Sequence, residues 1–258
     1  MTKLSLPSVT LCAATSIHVK PTIAAMRESL RHVDAGDAIL FTDAEVDATG
    51  EPFRVVRIPT IASSQDYSDF ILRDLVHYVR TDHCLITQWD GFVINAEAWD
   101  SAFSAVDYVG ASWPQFDDGH DVGNGGFSLR SRRLMAACLD PRFEGGMAED
   151  IAIGRANRDL LEREHGIRFA TRELAERFSF ERGQPAGPTF GFHGIFNLIP
   201  LIGADRFWQL YEGLDGPGTA MRDFGILMRQ LKSGPDASRR RLRLTVDRLK
   251  YAISPRRA

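Results

Sequence analysis

The run Val9-Thr10-Leu11-Cys12-Ala13-Ala14 puts apolar side chains on both sides of any extended chain, which demands a strand covered on both faces. A strand of that kind belongs to a sheet with helices on each side, so strands and helices must alternate along the chain. Pro21 suits an early helical position, and Ile23, Met26, Leu30 and Val33 then recur at helical spacing until the Asp34-Ala35-Gly36-Asp37 break. Ala38 to Phe41 reads as a second strand ending at Thr42-Asp43, and Phe53 to Ile58 as a third ending at Pro59. Ser63 or Ser64 caps a helix reaching about Val79, with Phe70, Ile71, Leu75, Val76 and Val79 as its buried stripe. His83 to Trp89 is the next strand and stops at Asp90-Gly91. The expected class is α/β, with a mostly parallel sheet flanked by helices.

The second half is less regular. A glycine-rich turn, Gly123-Asn124-Gly125-Gly126, leads into a short strand, Phe127 to Arg130, and a helix capped by Ser131. A longer helix is expected from Glu149 to Glu164, stopped by His165-Gly166. The segment from Gly183 to Gly191 is loop-like and opens into Phe190-Gly191-Phe192-His193-Gly194.

With 44% apolar and 25% charged residues among 258, the chain can build its own core, which excludes disorder for most of its length. Apolar runs stop within about eight residues, too short to span a bilayer, and the first residues lack the apolar core of a signal peptide. The expectation is a cytoplasmic protein. Cys12, Cys84 and Cys138 lie in apolar runs without CxxC spacing and read as buried thiols. The net charge of −3 conceals a division: from Lys232 onward nine Lys/Arg face only Asp236 and Asp247, so the remainder is strongly acidic. An acidic body argues against nucleic acid as a partner, and the basic end is a separate electrostatic device. Its pattern predicts an amphipathic helix from about Ala237 to Ile253, with Leu242, Val246, Leu249 and Ile253 on one face, suited either to an anionic membrane surface or to docking on the body.

Ligands of open α/β sheets bind beyond the carboxyl ends of the strands, so Thr15-Ser16, Thr42-Asp43 and Gln88-Trp89-Asp90 should line one rim. Asp90-Gly91 is either an ordinary turn or a carboxylate presented where backbone can approach a ligand; Gln88 and Trp89 beside it suit a polar pocket. His193, between two glycines, is either structural or a ligand, and a carboxylate with an imidazole can hold a divalent cation when a diphosphate completes the shell. Asp90 and His193 are one such candidate pair. Glu149-Asp150 either offsets a helix dipole or supplies a general base, the dipole being expected to lower the Asp150 pKa. The Gly123 to Gly126 turn lets backbone approach a sugar or phosphate. It does not open a helix after a buried strand, so it is no dinucleotide fingerprint, and the chain has no Walker lysine motif, no GxSxG and no HExxH.

Taken together, Leu85-Ile86-Thr87-Gln88-Trp89-Asp90-Gly91-Phe92, Gly123-Asn124-Gly125-Gly126-Phe127-Ser128-Leu129-Arg130-Ser131, Glu149-Asp150 and Phe190-Gly191-Phe192-His193-Gly194 resemble the GT-A fold glycosyltransferases over about residues 8 to 200. The likeness is strongest to a bacterial family of little-characterised domains of that type found among polysaccharide-related genes. The resemblance implies a GT-A-like domain over 1–231 followed by the basic helix over 232–258. It implies that Gln88-Trp89-Asp90 stands where such enzymes carry a DxD motif, with Gln88 replacing the first Asp and Asp90 left as metal ligand beside His193. Gly125 and Gly126 would lie beneath the donor sugar, Thr15 and Asp43 would contact the nucleoside, and Asp150 would be the base of an inverting reaction, with Glu149 shaping its surroundings. Mn2+ or Mg2+ would be the cofactor and a nucleotide sugar the donor.

The expected activity is glycosyl transfer from a nucleotide sugar to a glycan or lipid-linked acceptor in cell-surface polysaccharide synthesis, with the protein in the cytoplasm or peripheral at the inner face of the membrane. Two alternatives stand beside it: a metal-dependent hydrolase, which would turn over a nucleotide sugar without acceptor, and a non-catalytic nucleotide- or sugar-binding protein.

Overall fold

The computed structural model describes residues 3–216, 218–234 and 236–253. They fall into two compact units, the first ending at His193 and the second beginning at Gly194. That division lies earlier than the expected one at residue 231, because the C-terminal helix packs within a helical unit instead of standing alone.

The first unit carries the elements β1 (Leu4–Ala14), α1 (Val19–His32), β2 (Val33–Thr42), β3 (Arg54–Arg57), α2 (Ser64–Asp69), β4 (His83–Ile86), β5 (Tyr108–Val109), β6 (Ser128–Ser131), α3 (Arg132–Ala137), α4 (Glu149–Ile151), α5 (Arg158–Arg163), α6 (Arg172–Phe178), β7 (Ser179–Phe180) and β8 (Gly191–Phe192). Six strands form one mixed sheet in the order β3-β2-β1-β4-β6-β5. β3, β2, β1 and β4 run parallel, whereas β6 pairs antiparallel to both β4 and β5. The mostly parallel α/β architecture read from the sequence is the one observed.

Alternation along each strand builds a core on each face of the sheet. Leu11, Leu40 and Leu85 meet Met26 and Leu30 of α1 in one cluster. Cys12, Ile39, Phe41, Cys84 and Ile86 meet Phe70, Ile71, Leu75, Val76 and Val79 in the other. Each large side chain so buried contributes about 1.5–3 kcal/mol. All three cysteines are buried and free. Ser63 caps α2 in a reciprocal capping box with Asp66, and the segment continues through a π-turn over Phe70–Asp74 and a 3-10 turn over Leu75–His77.

Four elements differ from expectation. β2 begins at Val33, so the Asp34 to Asp37 stretch is strand; β1 also starts early, at Leu4, and an added Cβ on Gly36 would strike the Pro7 carbonyl at the register shift between them. β4 ends at Ile86 rather than Trp89, because Gln88 and Gly91 bond each other. The helix expected over Glu149 to Glu164 is interrupted by a π-turn at Ala152–Ala156. There the Asn157 N–H and Nδ2 both donate to the Ala152 carbonyl at 3.0 Å, and Gly154 lies where a Cβ would come 3.1 Å from the Trp113 ring.

The second unit contains α7 (Ile195–Glu212), broken at Gly203 with φ 81°, α8 (Gly218–Arg222), α9 (Phe224–Gln230) and α10 (Ala237–Ile253). α10 turns Leu244 and Asp247 inward, the Asp247 carboxylate accepting from the Tyr211 hydroxyl at 3.0 Å. Among the described residues no helix is long and apolar enough to cross a membrane.

Candidate functional site

Immediately after β4 the chain folds back on itself. The Gln88 N–H donates to the Gly91 carbonyl and the Gly91 N–H to the Gln88 carbonyl, both at 3.1 Å, leaving Trp89 and Asp90 as the tip of a tight turn. Trp89 turns into the protein, with its ring edge-on to His18 at 5.6 Å and only 7% exposed. The ring thus packs on His18 at the tip of the turn beside Asp90. Asp90 is buried and faces His193, with Oδ1 3.5 Å from Nε2. The Gln88 amide oxygen lies 3.3 Å from the same nitrogen.

His193 is delivered from far along the chain by β8, which pairs parallel with β7 so that Phe192 stands beside Phe180. The His193 N–H donates to the Phe180 carbonyl at 3.0 Å. The same register puts Glu181 next to His193, with Oε1 3.6 Å from Nδ1. Burial alone would lower the imidazole pKa, but the carboxylates of Asp90 and Glu181 outweigh it and raise the pKa to about 10. Burial likewise opposes ionisation of Glu181, yet the neighbouring His193 imidazole holds its carboxyl below the usual range.

Two glycines make room for the ring. A Cβ on Gly91 would come 2.9 Å from His193 Cδ2, and one on Gly126 would come 2.6 Å from Cε1 and closer still to Nε2. The ring therefore fills the space that a Gly126 side chain would take, with the nitrogen that faces Asp90 and Gln88 packed close to this backbone. Two ligands on one ion at about 2.0–2.6 Å can stand 3.5 Å apart, so Asp90 and His193 fit a divalent cation, with the Gln88 oxygen as a neutral third donor. Among the described residues no cluster of three His, Cys, Asp or Glu could enclose a metal by itself, so water or a bound ligand would have to supply the remaining oxygens.

The preceding glycine faces a different cluster. A Cβ on Gly125 would fall on the Glu149 carboxylate and 2.9 Å from Arg130 Nη2. Arg130, on β6, is 1% exposed; Nη2 donates to Glu149 Oε1 at 2.6 Å and Nε to the Ser128 hydroxyl at 3.1 Å. That hydroxyl in turn donates to the Gly125 carbonyl at 3.2 Å, tying the loop to the strand. The other Glu149 oxygen accepts the Asp150 N–H at 2.6 Å. Asp150 accepts from the Ile151 N–H at 2.8 Å. Its pKa is pushed up to about 6, first by burial and then by the charge of Glu149. The expected depression by the helix dipole is overturned, because α4 has a single turn and burial dominates. At the head of the loop Asn124 has φ 62°, and its buried Oδ1 has no hydrogen-bond partner among the described residues.

Gly125 and Gly126 are consecutive, with Cα atoms about 3.8 Å apart, so one dipeptide separates the Asp90–His193 pair from the Glu149–Asp150 pair. Thr15 and Asp43 stand at the ends of β1 and β2. The Thr15 N–H donates to the Phe41 carbonyl at 2.9 Å, and Asp43 accepts from Thr60 Oγ1 at 2.6 Å, which with a bond to Ser16 holds its carboxyl below the usual range.

Arg130 and Glu181 were missed by sequence reasoning. An isolated Arg in Ser128-Leu129-Arg130-Ser131 reads as an edge residue, though both neighbours of β6 are strands. For Glu181 a signal exists: Phe178-Ser179-Phe180-Glu181 mirrors Phe190-Gly191-Phe192-His193, as two paired strands should.

No curated protein matches the chain in sequence. Among solved structures it is similar to the mannosyltransferase PcManGT from Pyrobaculum calidifontis, in complex with GDP-Man and Mn2+, at 11% identity and TM-score 0.44, covering 97% of this chain and 75% of that one. It is also similar to glucosyl-3-phosphoglycerate synthase from Mycobacterium tuberculosis, in complex with Mn2+, uridine diphosphate and phosphoglyceric acid, at 11% identity and TM-score 0.42, covering 63% of this chain and 67% of that one. A family model covers residues 52–193, the stretch that holds Gln88, Asp90, Gly125, Gly126, Glu149, Asp150 and His193, and the chain belongs to that family, described as Protein of unknown function (DUF5672).

Proposed function

We propose that this protein is a glycosyltransferase that moves a sugar from a nucleotide-sugar donor to a hydroxyl of a glycan or lipid-linked acceptor, with inversion and with Mn2+ or Mg2+. One observation carries the reading: Asp90 and His193, far apart in sequence, meet at 3.5 Å on one side of the Gly125-Gly126 dipeptide whose other side seats Glu149 and Asp150. Asp90 and His193 would hold the cation, with Gln88 beside them. When bound, the cation offsets the charge that develops on the diphosphate leaving group.

Each remaining residue has a task of its own. Gly125 and Gly126 let the donor sugar lie against backbone, and Thr15 and Asp43 line the rim where the nucleoside would sit. Asp150 is ionised at neutral pH yet basic enough to accept a proton. As the acceptor oxygen bonds to the anomeric carbon, the bond from that carbon to the diphosphate breaks and the hydroxyl proton passes to Asp150. Glu149, engaged by Arg130 and the Asp150 N–H, holds the base in place.

The exposed face of α10 supports a membrane-proximal acceptor. Leu242, Leu249 and Ile253 are 66%, 58% and 83% exposed, and Arg239, Arg241 and Lys250 are exposed on the same helix. That combination suits anionic lipid headgroups at the cytoplasmic face, where acceptors for cell-surface polysaccharide synthesis would be met.

A thermal-shift panel of nucleoside diphosphates, with and without Mn2+, tests the core of the reading. A ligand at a hundred times its Kd stabilises the native state by about 2.7 kcal/mol. One nucleotide should shift Tm in a Mn2+-dependent way, and the matching nucleotide sugar should then be turned over with an acceptor. Flat melting curves across the panel would sink the proposal; turnover without acceptor would favour the hydrolase, and binding without turnover the non-catalytic protein.

A further inference from the structure

Glu181 lies on the far side of the His193 ring from Asp90. The parallel pairing of Ser179 with Gly191 and Phe180 with Phe192 continues by one residue to bring Glu181 beside His193, so Oε1 stands 3.6 Å from Nδ1 while Asp90 Oδ1 stands 3.5 Å from Nε2. The two ring nitrogens therefore face different carboxylates. The ring sits against the side-chain-free Gly126, which leaves room for it between the two carboxylates, and Nδ1 is buried. A histidine that binds a metal through one nitrogen usually donates the proton on the other to a carboxylate or carbonyl, which fixes its tautomer and orientation.

We propose that Glu181 is the positioning residue of the cation site: it holds the Nδ1 proton of His193, so that when a cation displaces the Nε2 proton to solvent, Nε2 presents its lone pair beside Asp90. This rests on the assignment of Asp90 and His193 as cation ligands. Glu181 touches neither donor nor acceptor, and its effect reaches the ion only through the imidazole. Its own strand supplies the anchor, because the His193 N–H is bonded to the Phe180 carbonyl at 3.0 Å and the two side chains leave neighbouring strands side by side.

The test is Mn2+ alone titrated into the full chain, with free Mn2+ read from its EPR signal and folding checked by circular dichroism and Tm. The unmodified protein should bind Mn2+, and Asp90→Asn should abolish binding. Glu181→Ala should weaken it roughly 10–100-fold, the usual effect of losing such an outer partner. Glu181→Gln keeps the shape and an acceptor oxygen but not the charge, and should weaken binding by a smaller factor in the same direction. Unchanged Mn2+ affinity in both Glu181 variants, with Asp90→Asn inactive in binding, overturns the role of Glu181 and leaves the cation site standing. Absence of Mn2+ binding by the unmodified protein overturns the cation site, and this inference with it. If Glu181→Ala does not fold, Glu181→Gln alone decides, an affinity equal to that of the unmodified protein counting against the proposal.

Discussion

Gly126→Ala isolates the geometry on which the site depends. Gly126 has no positive φ, so alanine costs its backbone nothing, and the whole effect must come from the methyl group. That carbon would stand 2.6 Å from His193 Cε1, and nearer to Nε2 and Cδ2, against about 3.5 Å for an ordinary contact. Either the ring or the loop must shift by at least about 1 Å, and the ring has little freedom, with Asp90 and Glu181 on its two sides. Overpacking of this kind costs about 1–3 kcal/mol, which at about 2–4 °C per kcal/mol lowers Tm by roughly 2–12 °C. A 1 Å displacement of one ligand should also abolish the Mn2+-dependent part of the nucleotide thermal shift. Gly183→Ala, where an added Cβ meets nothing within 4 Å, is the control and should leave both readouts unchanged. A Gly126→Ala protein with the parental Tm and the parental Mn2+ response would show that the ring is not packed against this glycine and would refute the argument from the cradle.

Asp150→Asn should lower kcat by roughly 10²–10⁴-fold with donor binding retained, and kcat of the parent should fall about tenfold per pH unit below the Asp150 pKa of about 6, because the base is then protonated. The folded-state pKa is raised above the ordinary 3.8, so ionised Asp150 is a burden on the native state that grows as pH rises from about 4 to 6; Asp150→Asn should therefore raise Tm at pH 7.5 and not at pH 4, and a Tm gain of equal size at both would refute the raised pKa. Glu149→Ala strands the buried Arg130 guanidinium and should destabilise the fold by about 3–5 kcal/mol in urea melts, whereas an exposed pair would show under about 1 kcal/mol. In liposome sedimentation the protein should bind anionic and not neutral vesicles, and Leu242→Ser with Leu249→Ser should remove that binding; equal sedimentation with both vesicle types would remove the membrane assignment.

Sequence alone determined the elements whose signal is local. The apolar run at β1, the helical spacing that covers one face with Met26 and Leu30, a serine cap at Ser63 or Ser64, the capping Ser131, and the span of α10 from about Ala237 to Ile253 all follow from patterns within about fifteen residues. It also identified Asp90 and His193 as candidates, because the carboxyl ends of strands in open α/β sheets face ligands and the segments around both residues resemble a known family. Their meeting was decided by tertiary structure: it needs β8 to pair with β7, a contact no local period encodes. Sheet membership of β6 between β4 and β5 is decided the same way, and with it the burial of Arg130. The Asp150 pKa makes the physical reason plain. A helix start and an acidic neighbour are visible in the sequence, but their balance depends on how much water the fold removes, and desolvation is a property of the surrounding residues rather than of the chain's order.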